Sequence, residues 1–238
     1  MIHKRKIEYS DGKITYEGVV TYNDNSRESR PIVLVAPTFR GQTDFEVERA
    51  VRLAEMGYIG FAIDTYGKGV RGNTNEEATE LMNQFKDNRG ELLSRMKLCL
   101  ETAKTFPLVD LERIGAIGFC FGGKSVLDLA RSGIAIAGGV SFHGVYDPPG
   151  INDDVEIQTP LLVLHGWEDP LATPAQVTDL SAELTRKKAN WELVAYGHTG
   201  HAFTNPNAND PENGMFYNPL VDQRSWDRMS RFFEEVFS

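Results

Sequence analysis

The sequence predicts an α/β fold: a mostly parallel twisted sheet with an antiparallel N-terminal hairpin and helices on both faces. From Ile32 onward, short apolar runs alternate with segments of helical period, which is typical of parallel strands joined by helical crossovers. Residues 6–22 instead alternate around the turn signal at residues 10–13, which predicts a hairpin at the sheet edge. No repeat or linker-like stretch interrupts the chain, so we expect one domain over residues 1–238.

The individual elements follow from the same patterns. The apolar runs predict strands at residues 32–36, 59–63, 113–118, 136–142, 161–165 and 191–196. The helical periods predict helices at residues 44–56, 76–105, 121–131, 174–188 and 222–236. Two polar segments, residues 67–75 and 204–218, are rich in glycine and asparagine, so we expect irregular loops there. Both follow predicted strands, and ligands gather at the carboxyl ends of parallel strands, so these loops should form the rim of a site.

Composition limits the classes of partner. The chain has 238 residues, 41% of them hydrophobic, and a formal net charge of −9. A strongly acidic protein repels phosphate backbones and anionic membranes, so neither is an expected partner. No stretch approaches the roughly 18 apolar residues of a spanning helix, and the N-terminus lacks the apolar core of a signal peptide. We expect a cytoplasmic monomer or homodimer that acts on a small molecule.

A cysteine lies at the turn from the third of these parallel strands into a helix. Residues 114–123 read Ile-Gly-Ala-Ile-Gly-Phe-Cys-Phe-Gly-Gly, with Cys120 between Gly118 and Gly122. This spacing predicts a nucleophile elbow, in which a strained residue stands clear of small neighbours. Helix N–H groups beside the sulfur would stabilise a thiolate and a developing oxyanion. The alternative is that Cys120 is a small buried hydrophobe and the glycines serve only close packing.

A carboxylate and two histidines follow later strands. The strand at residues 161–165 breaks at Gly166 and leads to Glu168 and Asp169, and the last strand leads to His198 and His201. Nucleophile, acid and histidine therefore occur in the chain order of α/β-hydrolases. Either carboxylate and either histidine fits that order. A metal pair formed by the two histidines lacks a helical scaffold and a third ligand, so we expect no metal and no cofactor.

These motifs resemble those of the dienelactone hydrolase family of α/β-hydrolases. The resemblance covers the strand at residues 32–36, Met56-Gly57-Tyr58, Asp64-Thr65-Tyr66-Gly67, the elbow, the acid turn and Gly200-His201-Ala202-Phe203. It implies that Cys120 is the nucleophile, Asp169 the orienting acid and His201 the general base. It also implies an oxyanion hole formed by the backbone N–H groups of Phe39 and Phe121.

Two departures from the family pattern bear on the substrate. Family members that cleave dienelactone carry a glutamate where this chain has Thr38, and an arginine shortly after the histidine, where it has Asn205. Without them, we expect small neutral esters or lactones, cleaved through a thioester. Activated phosphotriesters, dienelactone itself, a redox-active thiol and an inactive binding fold are the alternatives. The expected pocket residues are Thr38, Arg71, Trp167, Phe203 and Asn205.

Only two cysteines occur, Cys99 and Cys120. A reactive Cys120 must be unpaired, which suits a reducing compartment. Cys99 lies in a segment of helical period and is expected to pack in the interior. Arg71 and Arg89 are the alternative candidates for contact with an anionic substrate.

Overall fold

The computed structural model describes residues 1–25 and 27–238, which form a mixed α/β fold with a mostly parallel eight-stranded sheet. The strands of that sheet are β1 (Ile2–Ser10), β2 (Thr15–Asn23), β3 (Arg30–Ala36), β4 (Ile59–Ala62), β5 (Val109–Phe119), β6 (Gly138–Phe142), β7 (Leu161–Gly166) and β8 (Trp191–Tyr196). The helices of the described residues are α1 (Asp44–Glu55), α2 (Asn75–Asn83), α3 (Arg89–Lys104), α4 (Phe121–Arg131), α5 (Pro174–Arg186) and α6 (Pro219–Val236). The predicted fold class is confirmed.

The chain divides into two compact units, Met1–Ile117 and Gly118–Ser238. In the first unit the strands follow the order β1-β2-β4-β3-β5. Strands β1 and β2 form the predicted antiparallel hairpin, with Tyr9 opposite Tyr16, and β3 runs parallel to β4. Strand β3 is buried along its whole length, which explains the uninterrupted apolar run at residues 32–36.

The predicted single helix at residues 76–105 is wrong, because the structure has two helices, α2 and α3, in its place. The chain turns between them, and the side chain of Asn88 caps α3 by accepting a hydrogen bond from the N–H of Glu91 at 3.3 Å. Phe85 lies in the turn, is 1% exposed and stacks on Tyr66 with ring centroids 5.8 Å apart. Burial of this aromatic ring and the asparagine cap together outweigh the helical period of the segment.

In the second unit, β6, β7 and β8 are parallel neighbours in that order. The register places Phe142 beside Leu164 and Leu164 beside Val194, so the three strands end close together. The loops that follow them therefore begin at one edge of the sheet. On the face of β6, a side chain at Gly138 would meet the ring of Phe232 at 2.8 Å, so this glycine admits the close packing of α6.

The segment at residues 204–218, expected to be irregular, contains a small hairpin. Strands β9 (Asn209–Asp210) and β10 (Met215–Phe216) pair antiparallel around a short 3₁₀ turn at Pro211–Asn213. Within residues 1–25 and 27–238, no helix combines the length and the apolar character needed to cross a lipid bilayer.

Candidate active site

Cys120 occupies the turn between β5 and α4 in a strained backbone conformation. Its φ is 55° and its ψ is −114°, a region that non-glycine residues rarely adopt and that marks functional turns. Its N–H donates to the carbonyl oxygen of Phe142 at 3.0 Å, which fixes the turn against the end of β6. Its side chain is partly exposed and does not cap the helix. The thiol therefore stands accessible at a helix N-terminus, as the elbow motif predicts.

Gly118 explains why the elbow needs a small residue two positions before the cysteine. A Cβ atom on Gly118 would lie 2.0 Å from the carbonyl oxygen of Gly122, a contact no side chain can make. One residue further along the helix, a Cβ on Gly123 would lie 2.6 Å from Oγ of Ser141. The glycines thus serve both the strained turn and the close approach of α4 to β6.

Asp169 and His201 meet beneath the surface. Nδ1 of His201 and Oδ2 of Asp169 are 2.7 Å apart, and the side chains are 3% and 0% exposed. The other carboxylate oxygen, Oδ1, accepts a hydrogen bond from the N–H of Leu171 at 2.8 Å, which fixes the orientation of Asp169. The main chain of His201 is held by β10, because its N–H donates to Gly214 at 2.7 Å and its carbonyl accepts from Phe216. The carboxylate of Asp169 and the main chain of His201 are therefore fixed, and Nδ1 of His201 is held at the carboxylate.

The Cys120 thiol interacts with the same imidazole. Burial by itself lowers the pKa of His201, but the charge of Cys120 and the hydrogen bond with Asp169 raise it to about 10. Cys120 raises the pKa both by its charge and as a polar neighbour of Nε2, at a geometry short of a hydrogen bond, since Nε2 has no hydrogen-bond partner among the described residues. Catalytic hydrogen bonds are often loosely aligned before substrate binds. The arrangement favours a protonated imidazole beside sulfur.

His198 and Glu168 form a separate pair on the surface. The side chain of His198 is 98% exposed, and its Nδ1 lies 3.0 Å from Oε1 of Glu168, which is itself 55% exposed. Neither side chain has the buried setting of Asp169 and His201. Among the described residues, no three His, Cys, Asp or Glu side chains cluster in a way that could hold a metal ion.

The second unit also holds three of the expected pocket residues. Trp167 is 46% exposed beside the acid turn and is available for substrate contact. Phe203 is fully buried, with its ring centroid 5.0 Å from that of His143, so it supports the site from the interior. Oδ1 of Asn205 accepts from the N–H of Asn207 at 3.0 Å and orders its own turn.

Thr38, Phe39 and Arg71 belong to the first unit. The N–H of Thr38 donates to Oε1 of Glu46 at 3.1 Å, and the carbonyl of Phe39 accepts from the Tyr66 hydroxyl at 2.9 Å. Glu46 is fully buried, and burial raises its pKa. The roles of Thr38 and Phe39 in a site stay predictions.

The guanidinium of Arg71 makes hydrogen bonds to residues of its own unit. It donates to side-chain and main-chain oxygens of Gln42, Asp64, Gly67 and Val70. Arg71 thereby pins the loop at residues 67–75, and this set of contacts is structural. Its role as a substrate contact stays a prediction.

Sequence reasoning missed two buried histidines around the imidazole of His201. His143, directly after β6, lies edge to face with His201 at a centroid distance of 5.0 Å. His165, the penultimate residue of β7, is fully buried, and its Nδ1 is 3.1 Å from the hydroxyl of Tyr146. Burial lowers the pKa of His165 to about 4, opposed by the charge of Asp169. The available signal was position, since both follow or end a strand at the same edge as the other site residues.

Known proteins share this architecture and are similar in sequence. The solved structure of m3DLH is 35% identical, with a TM-score of 0.95 and coverage of 100% of this chain and 99% of that one. A dienelactone hydrolase-like promiscuous phosphotriesterase from metagenomic libraries is 31% identical, with a TM-score of 0.93 and coverage of 99% and 98%. A Synechocystis protein assigned as a carboxymethylenebutenolidase is 26% identical over 86% of this chain and 85% of its own length.

The family model itself spans nearly the whole sequence. The model of the dienelactone hydrolase family matches residues 17–237, which includes the elbow, the acid turn and the histidine loop. The resemblance inferred from those motifs is therefore confirmed at the level of the family. The chain belongs to the dienelactone hydrolase family and is a hydrolase that acts on ester bonds.

Proposed function

We propose that the protein hydrolyses small neutral carboxylic esters or lactones with Cys120 as nucleophile, His201 as base and Asp169 as orienting acid. The observation that carries this proposal is the buried 2.7 Å contact between His201 and Asp169, on an imidazole whose pKa Cys120 raises. A carboxylate on one nitrogen and a thiol at the other is the arrangement that activates a cysteine nucleophile.

The proposed reaction has two halves. His201 takes the proton of the Cys120 thiol as the sulfur adds to the ester carbonyl. The C–O bond to the alcohol then breaks as His201 passes that proton to the alcohol. This leaves a thioester on Cys120. Water then attacks the thioester, His201 takes the proton of the water, and the acid product leaves as the C–S bond breaks. The N–H of Phe121, at the start of α4, is the proposed donor to the oxyanion in both halves, a contact worth about 2.7–4 kcal/mol in comparable sites.

A neutral substrate is favoured by the residues at two positions where a substrate carboxylate would find a cation. Asn205 stands where family members that cleave dienelactone have an arginine, and the guanidinium of Arg71 is bound to the side chains of Asp64 and Gln42. The net charge of −9 also opposes the approach of anions. Neutral esters should have a kcat/KM about one to two orders of magnitude above that of matched carboxylate-bearing lactones, since a charge-assisted hydrogen bond is worth roughly 1.5–3 kcal/mol.

The charge preference is tested on wild type and Asn205→Arg with a neutral ester and its carboxylate analogue. The variant should narrow the gap between the two substrates. A wild-type preference for the anion would overturn the neutral-substrate proposal and point to a cation elsewhere.

The nucleophile is tested by replacing Cys120 with alanine and assaying p-nitrophenyl acetate. Turnover should fall by at least three orders of magnitude with the fold intact by circular dichroism, because only binding and the oxyanion donor remain. Cys99→Ala is the matched control, since Cys99 is fully buried. Near-normal turnover in the Cys120 variant would refute the mechanism. A peroxide-consumption assay on the same variants tests the redox alternative.

Activated phosphotriesters are a second candidate substrate class. The observation that favours them is the 31% identity with the promiscuous phosphotriesterase over nearly the full length of both chains. A soft thiolate could attack phosphorus with loss of a p-nitrophenolate group. Release of p-nitrophenol from a dialkyl p-nitrophenyl phosphate, dependent on Cys120, would establish this activity, and release that survives Cys120→Ala would argue against it.

We also propose a cytoplasmic location. Both cysteines are unpaired, and the proposed reaction requires the Cys120 thiol to stay reduced. The fraction of Cys120 that is alkylated when cells are lysed in the presence of a thiol-specific reagent checks this.

A further inference from the structure

His143 lies where three parts of the proposed site meet: the turn that holds Cys120, strand β7, which leads to Asp169, and the loop that holds His201. The peptide group between Phe142 and His143 makes two hydrogen bonds. The carbonyl of Phe142 accepts from the N–H of Cys120 at 3.0 Å, and the N–H of His143 donates to the carbonyl of Leu164 at 2.8 Å. One peptide at the end of β6 therefore ties the nucleophile turn to β7, the strand that leads to Asp169.

The side chain of His143 continues this connection to the base loop. Nε2 of His143 is hydrogen-bonded to Oγ1 of Thr204 at 2.8 Å, and both residues are almost completely buried. Thr204 lies three residues after His201 in the same loop. The His143 ring meets the His201 ring at an interplanar angle of 67°, with centroids 5.0 Å apart.

The backbone of His143 is strained. Its φ is 36°, in the left-handed region that residues with a Cβ rarely adopt. Such strain persists only where the surroundings over-determine the conformation, and it concentrates at functional sites. The next residue must be glycine, because a Cβ on Gly144 would lie 2.2 Å from Oγ of Ser141. The contacts that impose this conformation hold the ring of His143 against His201.

An imidazole held by one hydrogen bond can still tilt about that bond. The contact with Asp169 fixes Nδ1 of His201 but leaves the plane of the ring free to swing Nε2 away from sulfur. An edge-on aromatic neighbour, itself anchored, removes that freedom. We propose that His143, anchored by Thr204, is a positioning residue that fixes the plane of the His201 ring and keeps Nε2 directed toward Cys120. This inference rests on the proposed function of the triad.

The experiment compares three threonine variants with p-nitrophenyl acetate as substrate. Thr204→Val removes the hydroxyl with little change of shape, and Thr204→Ser keeps it. Thr159→Val is the matched control, because Thr159 is a buried threonine that also donates from Oγ1, to Ile134 at 2.7 Å, at the opposite end of β7. We expect Thr204→Val to lower kcat about tenfold with KM within about twofold, and Thr204→Ser and Thr159→Val to stay within about twofold of wild type.

His143→Asn tests the ring directly, because asparagine tolerates a left-handed φ and so adds no backbone strain. It should lower kcat by about 10- to 100-fold, and adding Thr204→Val to it should cause no further loss, since the two residues act as one unit. If Thr204→Val does not fold, the kcat of His143→Asn still tests the proposal.

Several results would overturn the inference. They are a wild-type kcat in Thr204→Val or His143→Asn, additive losses in the double variant, a loss confined to KM, or an equal loss of kcat in Thr159→Val. Failure of the triad proposal is distinct from all of these, because it would appear as activity in Cys120→Ala.

Discussion

Oδ2 of Asp169 and Nδ1 of His201 lie 2.7 Å apart although 32 residues separate them in the chain. The two are joined because β7 and β8 are adjacent parallel strands, and each residue lies in the loop that follows its strand. The contact is buried, so the charge of Asp169 acts on the imidazole with little solvent screening. The expected effects of changing Asp169 and His201 depend on this contact.

Replacing Asp169 with asparagine should lower kcat for p-nitrophenyl acetate by about two to four orders of magnitude. An amide cannot stabilise an imidazolium and can select the wrong tautomer of His201, as in serine proteases, where the equivalent change costs about 10⁴-fold. Glu168→Gln is the control, because this neighbouring carboxylate is exposed, and it should keep kcat within about twofold. Equal losses in the two variants would contradict the assignment of the acid.

His201→Ala should abolish turnover, whereas His198→Ala should leave it within about twofold of wild type. The reason is burial and contact: only His201 touches a buried carboxylate and interacts with Cys120, while His198 is 98% exposed. Steady-state kinetics on both variants, with circular dichroism to confirm folding, checks this. Comparable losses would show that the base is misassigned.

Gly118→Ala should destabilise the protein by about 1–3 kcal/mol or more, because the added methyl overlaps the carbonyl of Gly122 at 2.0 Å. Gly90→Ala is the contrasting substitution. A Cβ at Gly90, in α3, meets nothing within 4 Å, and alanine is the better helix former, so this variant should be neutral or slightly stabilised. Urea unfolding midpoints distinguish the two, and an unchanged midpoint for Gly118→Ala would contradict the described elbow.

Protonation of His165 should lower the free energy of unfolding as the pH falls below 6.5. Its pKa in the folded protein is lowered to about 4, below the unfolded value near 6.5. Between these two pH values the unfolded chain binds a proton at His165 that the folded chain does not. The contribution of neutral His165 to the free energy of unfolding is therefore fully present above pH 6.5 and is lost as pH falls toward 4. Urea midpoints measured between pH 4 and 7 should decline less steeply in His165→Gln than in wild type. Parallel declines would show that His165 is not protected from protonation.

Arg131→Met should destabilise the protein by about 3–5 kcal/mol. The guanidinium is 1% exposed and binds Glu183 at 2.6 Å and Asp128 at 3.2 Å, so its removal leaves buried carboxylates without their cation. Lys188→Met breaks the exposed pair with Glu156 and should leave the midpoint nearly unchanged. Thermal unfolding of both variants gives the comparison.

Local patterns predicted much of the fold. The boundaries of α4 and of β8 match the expectation from sequence, because a strand-turn-helix elbow and an apolar run before a glycine are encoded by adjacent residues. The break between α2 and α3 was missed, since a helical period conceals the tertiary packing of Phe85 on Tyr66. The hairpin of β9 and β10 was also missed, because strands of two residues carry no periodicity.

The candidate site was predicted unevenly for the same reason. Cys120, Asp169 and His201 stand out because each follows a strand in a known order. His143 carries no motif, and His165 reads as part of an apolar strand, so only the three-dimensional packing shows that both surround the imidazole. The different settings of His198 and His201 likewise arise from pairing of the His201 backbone with β10, which lies further along the chain.

The order of the proposed triad along the second unit has a consequence for biosynthesis. Cys120 leaves the ribosome first, Asp169 second and His201 third, and the strand that anchors the His201 backbone, β10, follows later still. A nascent or prematurely terminated chain that ends before Gly200 therefore carries the thiol without the proposed base. Under the proposed mechanism, the proton-transfer system is complete only in a chain translated through the β9–β10 hairpin, and acyl transfer to the cysteine is withheld until that hairpin has been made.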